Sequence, residues 1–410
     1  MRNIAGSPVE GTNFFGRTIE VDRLRETLNN DDVLLLGPRR IGKTSIARAV
    51  MKKAKDSGWK AIEINVASCT DEKGFLQKLD AAIVPELASL TFKAKGAIVD
   101  AFRNTTGRIK SINIPIPGAG GFGVELGDVA SEEWTSVGSD VLKLIAEADE
   151  NWLIYIDELP ILLFNIIRQD PTSGLLRVRR FLDWFRNDVR AIPGSNKVRW
   201  LVSGSVGLDT LVQQHGMADT INSLNHMTLE AFEEDVAIEM LIKLGSSYSL
   251  DIDESSARSI TNAVLWLQPY YLQSAFNHLR GLRILRPEAS IEDLVADAVG
   301  RMSEPGGDND FHHWEQRLTF QLPGNDAAYA GLMLNAAARD TRGECPEVIL
   351  EELEKKMDGM STQEVRKKFI SLRDILIRDA YWWADESSGE KRYRFRLEPL
   401  RQWWLMRDTL

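Results

Sequence analysis

The sequence predicts an α/β fold in which a parallel sheet is followed by a helical lid and a C-terminal winged helix-turn-helix domain. Short apolar runs with the length of buried strands occur at residues 33–36, 60–68, 151–160 and 198–205, and segments with helical spacing lie between them. Strands that alternate with helices favour a parallel sheet. Beyond about residue 225 the spacing is helical, and two further short strands are expected only near the C-terminus.

The composition sets broad limits on the class of protein. A content of 43% apolar and 27% charged residues is ordinary for a globular protein, and 410 residues suffice for two or three domains. The net charge of -10 argues against a general polyanion binder, so nucleic acid would need a local basic patch. The sequence has two distant cysteines, no apolar run of about 20 residues and no signal-peptide core, which together predict a cytoplasmic protein without membrane contact.

The pattern divides the chain into three expected domains. They are an α/β core at residues 1–224, a helical lid at 225–300 and a winged helix domain at 301–410. In the last domain, three helices precede two strands around a Ser-Ser-Gly turn and a final helix. Inside the core, two arms of alternating apolar residues flank a turn, which predicts an inserted β-hairpin at about 109–127. This hairpin is either a plain surface element or a contact for a partner or nucleic acid.

The strongest motif lies directly after the first predicted strand. GPRRIGKT matches the pattern Gly-x4-Gly-Lys-Thr, whose glycines let backbone N–H groups surround phosphates. The lysine of this pattern reaches the β- and γ-phosphates, and the threonine hydroxyl holds Mg²⁺. We therefore predict a phosphate-binding loop with Lys43 also acting in catalysis. The expected contacts are Gly37, Pro38, Arg39, Arg40, Ile41, Gly42, Lys43, Thr44 and Ser45.

An acidic pair ends the third predicted strand, LIYIDE. Asp157 is expected to hold Mg²⁺ together with Thr44, and Glu158 is placed to polarise an attacking water. A guanine-reading Asn-Lys-x-Asp is missing, because the nearest match, NKVR, has arginine in the acidic position, so ATP is the favoured nucleotide. The next strand ends in Ser203 and Ser205, which either sense the γ-phosphate or simply begin a loop.

With the segment NFFGRTIEVDRL before the first strand, these motifs resemble the archaeal-type ATPase group of the STAND branch of P-loop ATPases, close to the AAA+ ATPases. The resemblance covers roughly residues 12–280 and implies a P-loop NTPase core of the ASCE/AAA+-like type with a helical lid and often a winged helix. In this family a Gly-Arg-x-x-Glu element lies against the nucleotide, and it maps here to Gly16, Arg17 and Glu20.

The resemblance is weaker in the lid, where the family usually has Gly-x-Pro. This chain has LQPYYL, with Gln268 before Pro269 and no glycine. The paired Arg39 and Arg40 inside the phosphate loop do fit the family pattern. The family is found in regulatory, defence and mobile-element settings, and the resemblance does not select among them.

The segment LLRVRRFLDWFRNDVR before the fourth strand predicts an amphipathic helix. Its expected buried residues are Leu175, Val178, Leu182, Phe185 and Val189, and its polar flank holds Arg179, Asp183, Arg186 and Arg190. The flank is either solvated, with Asp183 bridging the arginines, or the source of an arginine finger. Related ATPases present such an arginine to a neighbouring subunit, so we expect Arg190 first and Arg186 second in an ATP-dependent homo-oligomer.

Residues 391–407 carry six basic residues and one acid. With its interleaved aromatic residues, this segment either lies on a phosphate backbone or packs its aromatic side chains inside the domain. The residues expected to be buried in the second case are Tyr393, Phe395, Trp403 and Trp404.

Two functions stay open at this point. The first is a Mg²⁺-dependent ATP-hydrolysing switch that acts on a protein partner. The second is a DNA-loading or DNA-remodelling ATPase that uses the winged helix on duplex DNA. A small-molecule kinase is disfavoured, because the sequence offers no candidate phosphate-acceptor site.

Overall fold

The computed structural model describes residues 1–88, 109–112, 124–126, 134–147, 150–204, 207–304, 311–387 and 389–407. The chain divides into two compact units. One unit is Arg17–Leu229, and the other joins Met1–Gly16 to Glu230–Leu410.

The unit Arg17–Leu229 is built on a five-stranded sheet. Its strands are β1 Val33–Leu36, β2 Lys60–Asn65, β5 Trp152–Asp157, β6 Val198–Ser203 and β7 Asn225–Thr228. Their order in the sheet is β2-β5-β6-β1-β7. All pair in parallel, which confirms the predicted class of sheet. Every residue of β5 is buried, as expected for a strand covered on both faces. The carboxyl ends of β1, β5 and β6 therefore lie at one edge of the sheet.

Helices connect these strands. Their bounds are Thr18–Thr27, Lys43–Asp56, Glu72–Ala88, Trp134–Ala146, Leu159–Gln169, Gly174–Asp183 and Leu208–Gln214. The third of them contains Pro85 and continues to Ala88, although a proline removes one backbone N–H donor from a helix.

The predicted amphipathic helix is shorter than expected. It ends at Asp183 and is followed by a π-helical turn, Trp184–Asp188. Leu175 is 43% exposed, whereas the other four residues of the predicted face are buried. A Cβ added to Gly174 would lie 2.7 Å from Ile167 Cα, so the chain packs closely at residue 174. The next residue, about 100° further round the helix, then faces solvent.

Two strands of the predicted hairpin are paired. β3, Ile109–Ile112, runs antiparallel to β4, Val124–Leu126, in a two-stranded sheet of their own. The predicted turn, residues 117–121, lies outside the described residues.

The core unit extends five residues beyond the boundary expected at residue 224. Asn225–Thr228 forms β7, which pairs with β1 along its length. Its side chains are exposed or half-buried, so this edge strand lacks the apolar run by which a buried strand is recognised. The first 16 residues belong to the other unit, where Asn3 Nδ2 donates to Gln273 O at 3.0 Å.

The second unit is helical. Its helices are Glu234–Ser247, Glu254–Val264, Pro269–Leu285, Ile291–Met302, His312–Gln321, Asp326–Ala338, Pro346–Lys356, Thr362–Arg378 and Glu398–Met406. The antiparallel strands β8, Trp382–Asp385, and β9, Arg392–Phe395, come before the last helix, in the predicted order. One hydrophobic cluster runs from Phe232 to Trp404. The expected boundary between residues 300 and 301 therefore lies within a shared core, because helices on both sides of it contribute to the same cluster.

Among the helices that the structure describes, none is both long and apolar enough to span a bilayer.

Candidate functional site

The phosphate loop connects β1 to the helix Lys43–Asp56, which is the context that the sequence predicted. Two of its glycines are required by the backbone. Gly37 has φ 138°, and a Cβ there would lie 2.8 Å from the carbonyl oxygen of Leu229. Gly42 has φ 106° and is the last residue before the helix. The loop thus enters the helix N-terminus through a left-handed position that favours glycine.

The side chains of the loop divide into buried and outward-facing groups. Lys43 is buried, and its Nζ donates to the carbonyl oxygens of Gly37 at 2.6 Å and Pro38 at 2.8 Å. Ile41 is fully buried and anchors the loop, and Ser45 is also buried. Arg39 is exposed, whereas Arg40 is half-buried and has φ 69°. The ammonium therefore lies inside the curve of the loop.

The acidic end of β5 meets the first turn of the loop's helix. Thr44 Oγ1 donates to Asp157 Oδ2 at 3.1 Å, although the two residues are 113 positions apart. Ser203, at the end of β6, is fully buried and donates to Asp157 Oδ1 at 2.8 Å. Asp157 thus accepts a hydroxyl proton on each oxygen. The second predicted serine, Ser205, lies outside the described residues.

Glu158 has an unusual backbone conformation. It lies between β5 and the helix Leu159–Gln169 with φ 64° and ψ 32°, in the left-handed region. This conformation costs a non-glycine residue on the order of 1 kcal/mol or more, and such strain is concentrated at functional sites. The half-buried carboxylate follows directly after Asp157, at the same edge of the sheet as the phosphate loop.

The residues present fit the Mg²⁺ ion that the sequence implies. Thr44 and Asp157 offer a hydroxyl and a carboxylate, and these oxygen ligands are 3.1 Å apart. Mg²⁺ in phosphate-binding sites is usually held by one or two protein oxygens together with the substrate phosphates. The donor set is therefore suitable in its chemistry.

Tyr155 is a residue of this site that the sequence analysis missed. It is fully buried, and its hydroxyl oxygen lies 2.8 Å from Ser203 Oγ. The available signal was a hydroxyl-bearing residue in the apolar run LIYI, two positions before Asp157 and so on the same face of β5.

Arg17 is buried, with 5% of its surface exposed, so a solvated position is ruled out. Its Nη1 donates to Glu20 Oε1 at 2.7 Å, which ties together two residues of the Gly-Arg-x-x-Glu element. Gly16 has φ 69°, and a Cβ there would lie 2.5 Å from Val236 Cγ1. Glycine at this position is therefore a requirement of packing as well as of backbone conformation.

Arg179 and Arg186, both on the predicted polar flank, share one acid, and Arg186 is one of the two candidate finger residues. Arg179 binds Asp183 at 2.9 Å and Asp219 at 2.6 Å, and Arg186 reaches Asp219 at 3.3 Å. The acid that bridges two arginines is therefore Asp219, in the turn Ala218–Ile221, rather than Asp183 as expected. The turn brings its carboxylate between both guanidinium groups, whereas Asp183 pairs with one.

Arg190 has a different partner. Its Nη2 donates to Asp32 Oδ2 at 3.0 Å and to the carbonyl oxygen of Ser223 at 2.5 Å. Asp32 is buried, and its Oδ1 accepts from the backbone N–H of Trp200 at 3.0 Å. Asp32 comes just before β1 and Trp200 is near the start of β6, so this ion pair lies at the amino edge of the sheet. The phosphate loop lies at the carboxyl edge.

We expect Arg190→Ala to lower the free energy of unfolding by about 1–3 kcal/mol at neutral pH, because the buried Asp32 carboxylate loses its charged partner. Burial raises the pKa of Asp32, and the Trp200 N–H and Arg190 oppose that rise. A carboxyl whose folded pKa exceeds its unfolded pKa stabilises the fold less as pH rises through both values. Removing Arg190 raises the folded pKa further, so the loss should be larger at pH 7 than at pH 4.

Chemical denaturation of both proteins at the two pH values measures this effect. Arg186→Ala is the matched control, since its partner Asp219 is 44% exposed and an exposed pair contributes about 0–1 kcal/mol. Equal losses for the two variants, or a loss that does not depend on pH, would contradict the role assigned to Asp32.

The basic segment 391–407 is largely paired with acids. Its ion pairs are Lys391–Glu386, Arg392–Glu390, Arg394–Asp385, Arg401–Glu398 and Arg407–Glu315. The four aromatic residues expected inside the domain are all buried. The packing alternative is therefore the one that the structure supports for this segment.

Comparison with known proteins identifies the fold. No protein-family model matches the chain, and neither does any curated protein. A Walker-type ATPase of Pyrococcus abyssi is similar in structure, with a TM-score of 0.60, 15% identity, and coverage of 98% of this chain and 99% of that chain. The ORC2 protein of Aeropyrum pernix, solved in ADPNP and ADP complexes, has a TM-score of 0.54, 14% identity and 98% coverage of both chains. At such identities the likeness establishes the fold, which is that of the AAA+ class of P-loop NTPases.

Proposed function

We propose that this AAA+ fold serves a Mg²⁺-dependent ATP-binding and ATP-hydrolysing switch of the STAND type. The hydrogen bond from Thr44 Oγ1 to Asp157 Oδ2 carries the proposal. It joins the phosphate loop's helix to the acid at the end of β5, which are the two parts that an ATPase of this class needs in contact.

Nucleotide binding uses the backbone of Gly37–Thr44 and the buried ammonium of Lys43. The ammonium now donates to two loop carbonyls, and phosphate oxygens are stronger acceptors of a charged donor. Gly16 and Arg17 form the further nucleotide contact implied by the STAND resemblance. Ile41 and Ser45 are buried and anchor the loop and the start of its helix.

In the hydrolysis step, Glu158 acts as the general base. Its carboxylate accepts a proton from a water whose oxygen attacks the γ-phosphorus, while the bond from that phosphorus to the β–γ bridging oxygen breaks and ADP leaves. Thr44 and Asp157 would hold Mg²⁺, and the bound ion would neutralise part of the negative charge of the phosphates. Lys43 stabilises negative charge on the transferred group.

The two nucleotide states would expose different surfaces to a protein partner, as in other ATP-dependent switches. The ion pairs of residues 391–407 favour this function over DNA loading. Each of those pairs places an acid beside a basic group that a DNA phosphate would have to use.

An arginine finger in a homo-oligomer belongs to the same proposal. Arg186 is now the first candidate and Arg190 the second, which reverses the order expected from the sequence. Arg186 lies in a π-helical turn, a feature frequent at functional sites, and its acid is solvent-exposed. Arg190 would have to leave the buried Asp32.

Mixing Arg186→Ala protein with Lys43→Ala protein should restore activity, because each supplies what the other lacks. The arginine finger would be excluded if the mixture showed no complementation and if the activity per subunit did not change with protein concentration.

Calorimetric titration with ATP, ADP and GTP, followed by phosphate-release assays, tests the function. ATP and ADP should bind in Mg²⁺ more tightly than GTP, and phosphate should be released from ATP. A folded wild-type protein that binds none of them would refute the proposal. Strong stimulation by duplex DNA with a steep salt dependence would instead favour the DNA-loading ATPase.

A further inference from the structure

A chain of three hydroxyl groups surrounds the carboxylate at the end of β5. Tyr155 OH lies 2.8 Å from Ser203 Oγ, Ser203 Oγ donates to Asp157 Oδ1, and Thr44 Oγ1 donates to Asp157 Oδ2. The members come from β5, β6 and the helix Lys43–Asp56. Side chains from three separate elements thus fix the orientation of one carboxylate.

The direction of these hydrogen bonds follows from the number of protons. A serine hydroxyl has one proton, and Ser203 donates it to Asp157 at 2.8 Å. Tyr155 must then be the donor in its contact with Ser203. Thr44 likewise directs its proton to the carboxylate, which leaves its lone pairs for a cation.

Tyr155 is fully buried, and Ser203 Oγ lies 2.8 Å from its hydroxyl oxygen. A buried hydroxyl that lost its hydrogen-bond acceptor would be costly, which holds the Tyr155 hydroxyl on Ser203. The donor end of the chain is therefore fixed.

We propose that Tyr155 is a positioning residue, which acts through Ser203 to orient the Asp157 carboxylate for Mg²⁺ in the nucleotide complex. The proposal rests on the function proposed above. Groups that orient a metal-holding residue from behind commonly change metal affinity by about 10–100-fold when removed. It also follows that the single proton of Ser203 is committed to Asp157, so Ser203 is not available to donate to a γ-phosphate.

The test is the affinity of Tyr155→Phe for a non-hydrolysable ATP analogue, measured in Mg²⁺ and in EDTA. We expect the enhancement of binding by Mg²⁺ to fall about tenfold while the affinity in EDTA stays at the wild-type value. Ser203→Ala should give the same loss. The double variant should lose no more than Ser203→Ala alone, because Tyr155 acts through Ser203.

Tyr381→Phe is the matched control. Tyr381 is also fully buried, and its hydroxyl donates to the carbonyl oxygen of Trp314 at 2.6 Å in the other unit. It removes a buried hydroxyl away from the site, so it should leave the Mg²⁺ enhancement unchanged.

Two results for Tyr155→Phe would overturn the positioning role and leave the ATPase proposal standing. One is an enhancement of analogue binding by Mg²⁺ equal to that of the wild type, and the other is an equal loss of affinity in Mg²⁺ and in EDTA. If Tyr155→Phe fails to fold, the Ser203→Ala variant tests the proposal instead. A wild-type Mg²⁺ enhancement of binding in Ser203→Ala would overturn the positioning role of Tyr155. A folded wild-type protein that does not bind the analogue would refute both proposals.

Discussion

Replacing Lys43 by alanine is expected to weaken ATP binding by about 30-fold to several thousand-fold, which corresponds to roughly 2–5 kcal/mol for a buried charged hydrogen-bonding partner. The ammonium is buried inside the loop and within hydrogen-bonding distance of two carbonyl oxygens. Alanine leaves the loop backbone in place but removes the positive charge against which the phosphates would bind.

Calorimetry or a fluorescent nucleotide measures this loss. Lys52→Ala is the matched control, because Lys52 is on the same helix, is exposed and carries the same charge. Its affinity for ATP should stay close to the wild-type value. If the Lys43 variant folded normally and bound ATP as well as the Lys52 variant, the phosphate-loop assignment would be wrong.

Replacing Glu158 by glutamine should keep ATP binding and slow hydrolysis by about 100-fold or more, the scale of a positioned general base. The amide has nearly the shape of the carboxylate but does not accept a proton from water at neutral pH. Single-turnover phosphate release with pre-bound ATP separates this effect from binding. Turnover near the wild-type rate would show that another group is the base.

Glu158→Gly separates the chemical role of this residue from its effect on the fold. The left-handed conformation, φ 64°, strains a residue with a side chain and is freely available to glycine. We expect a free energy of unfolding equal to that of the wild type or higher by up to about 1 kcal/mol, with hydrolysis as slow as in Glu158→Gln. A clear loss of stability would mean that the carboxylate, rather than the backbone, holds this turn.

The sequence was most informative where function depends on neighbours along the chain. The phosphate loop was predicted between a buried strand and a helix, and it lies between β1 and Lys43–Asp56. Its two glycines, Gly37 and Gly42, have positive φ angles, and at Gly37 the carbonyl oxygen of Leu229 also leaves no room for a Cβ. Such local requirements leave a readable pattern, because each residue type is demanded by the backbone or by the ligand.

Apart from the pairing of Thr44 with Asp157, contacts between distant segments were not predictable. Nothing near Arg190 in the chain indicates Asp32, which is 158 positions away, and Asp219 was likewise unexpected as the bridging acid. β7 was missed because an edge strand with exposed side chains has no apolar run. The N-terminal 16 residues joined the helical unit through hydrogen bonds such as the one from Asn3 to Gln273.

By itself, then, the sequence determined the class of sheet, the phosphate loop and the acidic pair at the end of β5. Only the tertiary structure decided which hydroxyl groups hold Asp157, because Thr44, Asp157 and Ser203 come from segments that the sheet order β5-β6-β1 brings to one edge. It also decided that Tyr155 belongs with them. In the sequence a tyrosine in an apolar strand looks like core, and the position of Ser203 on the adjacent strand gives its hydroxyl an acceptor.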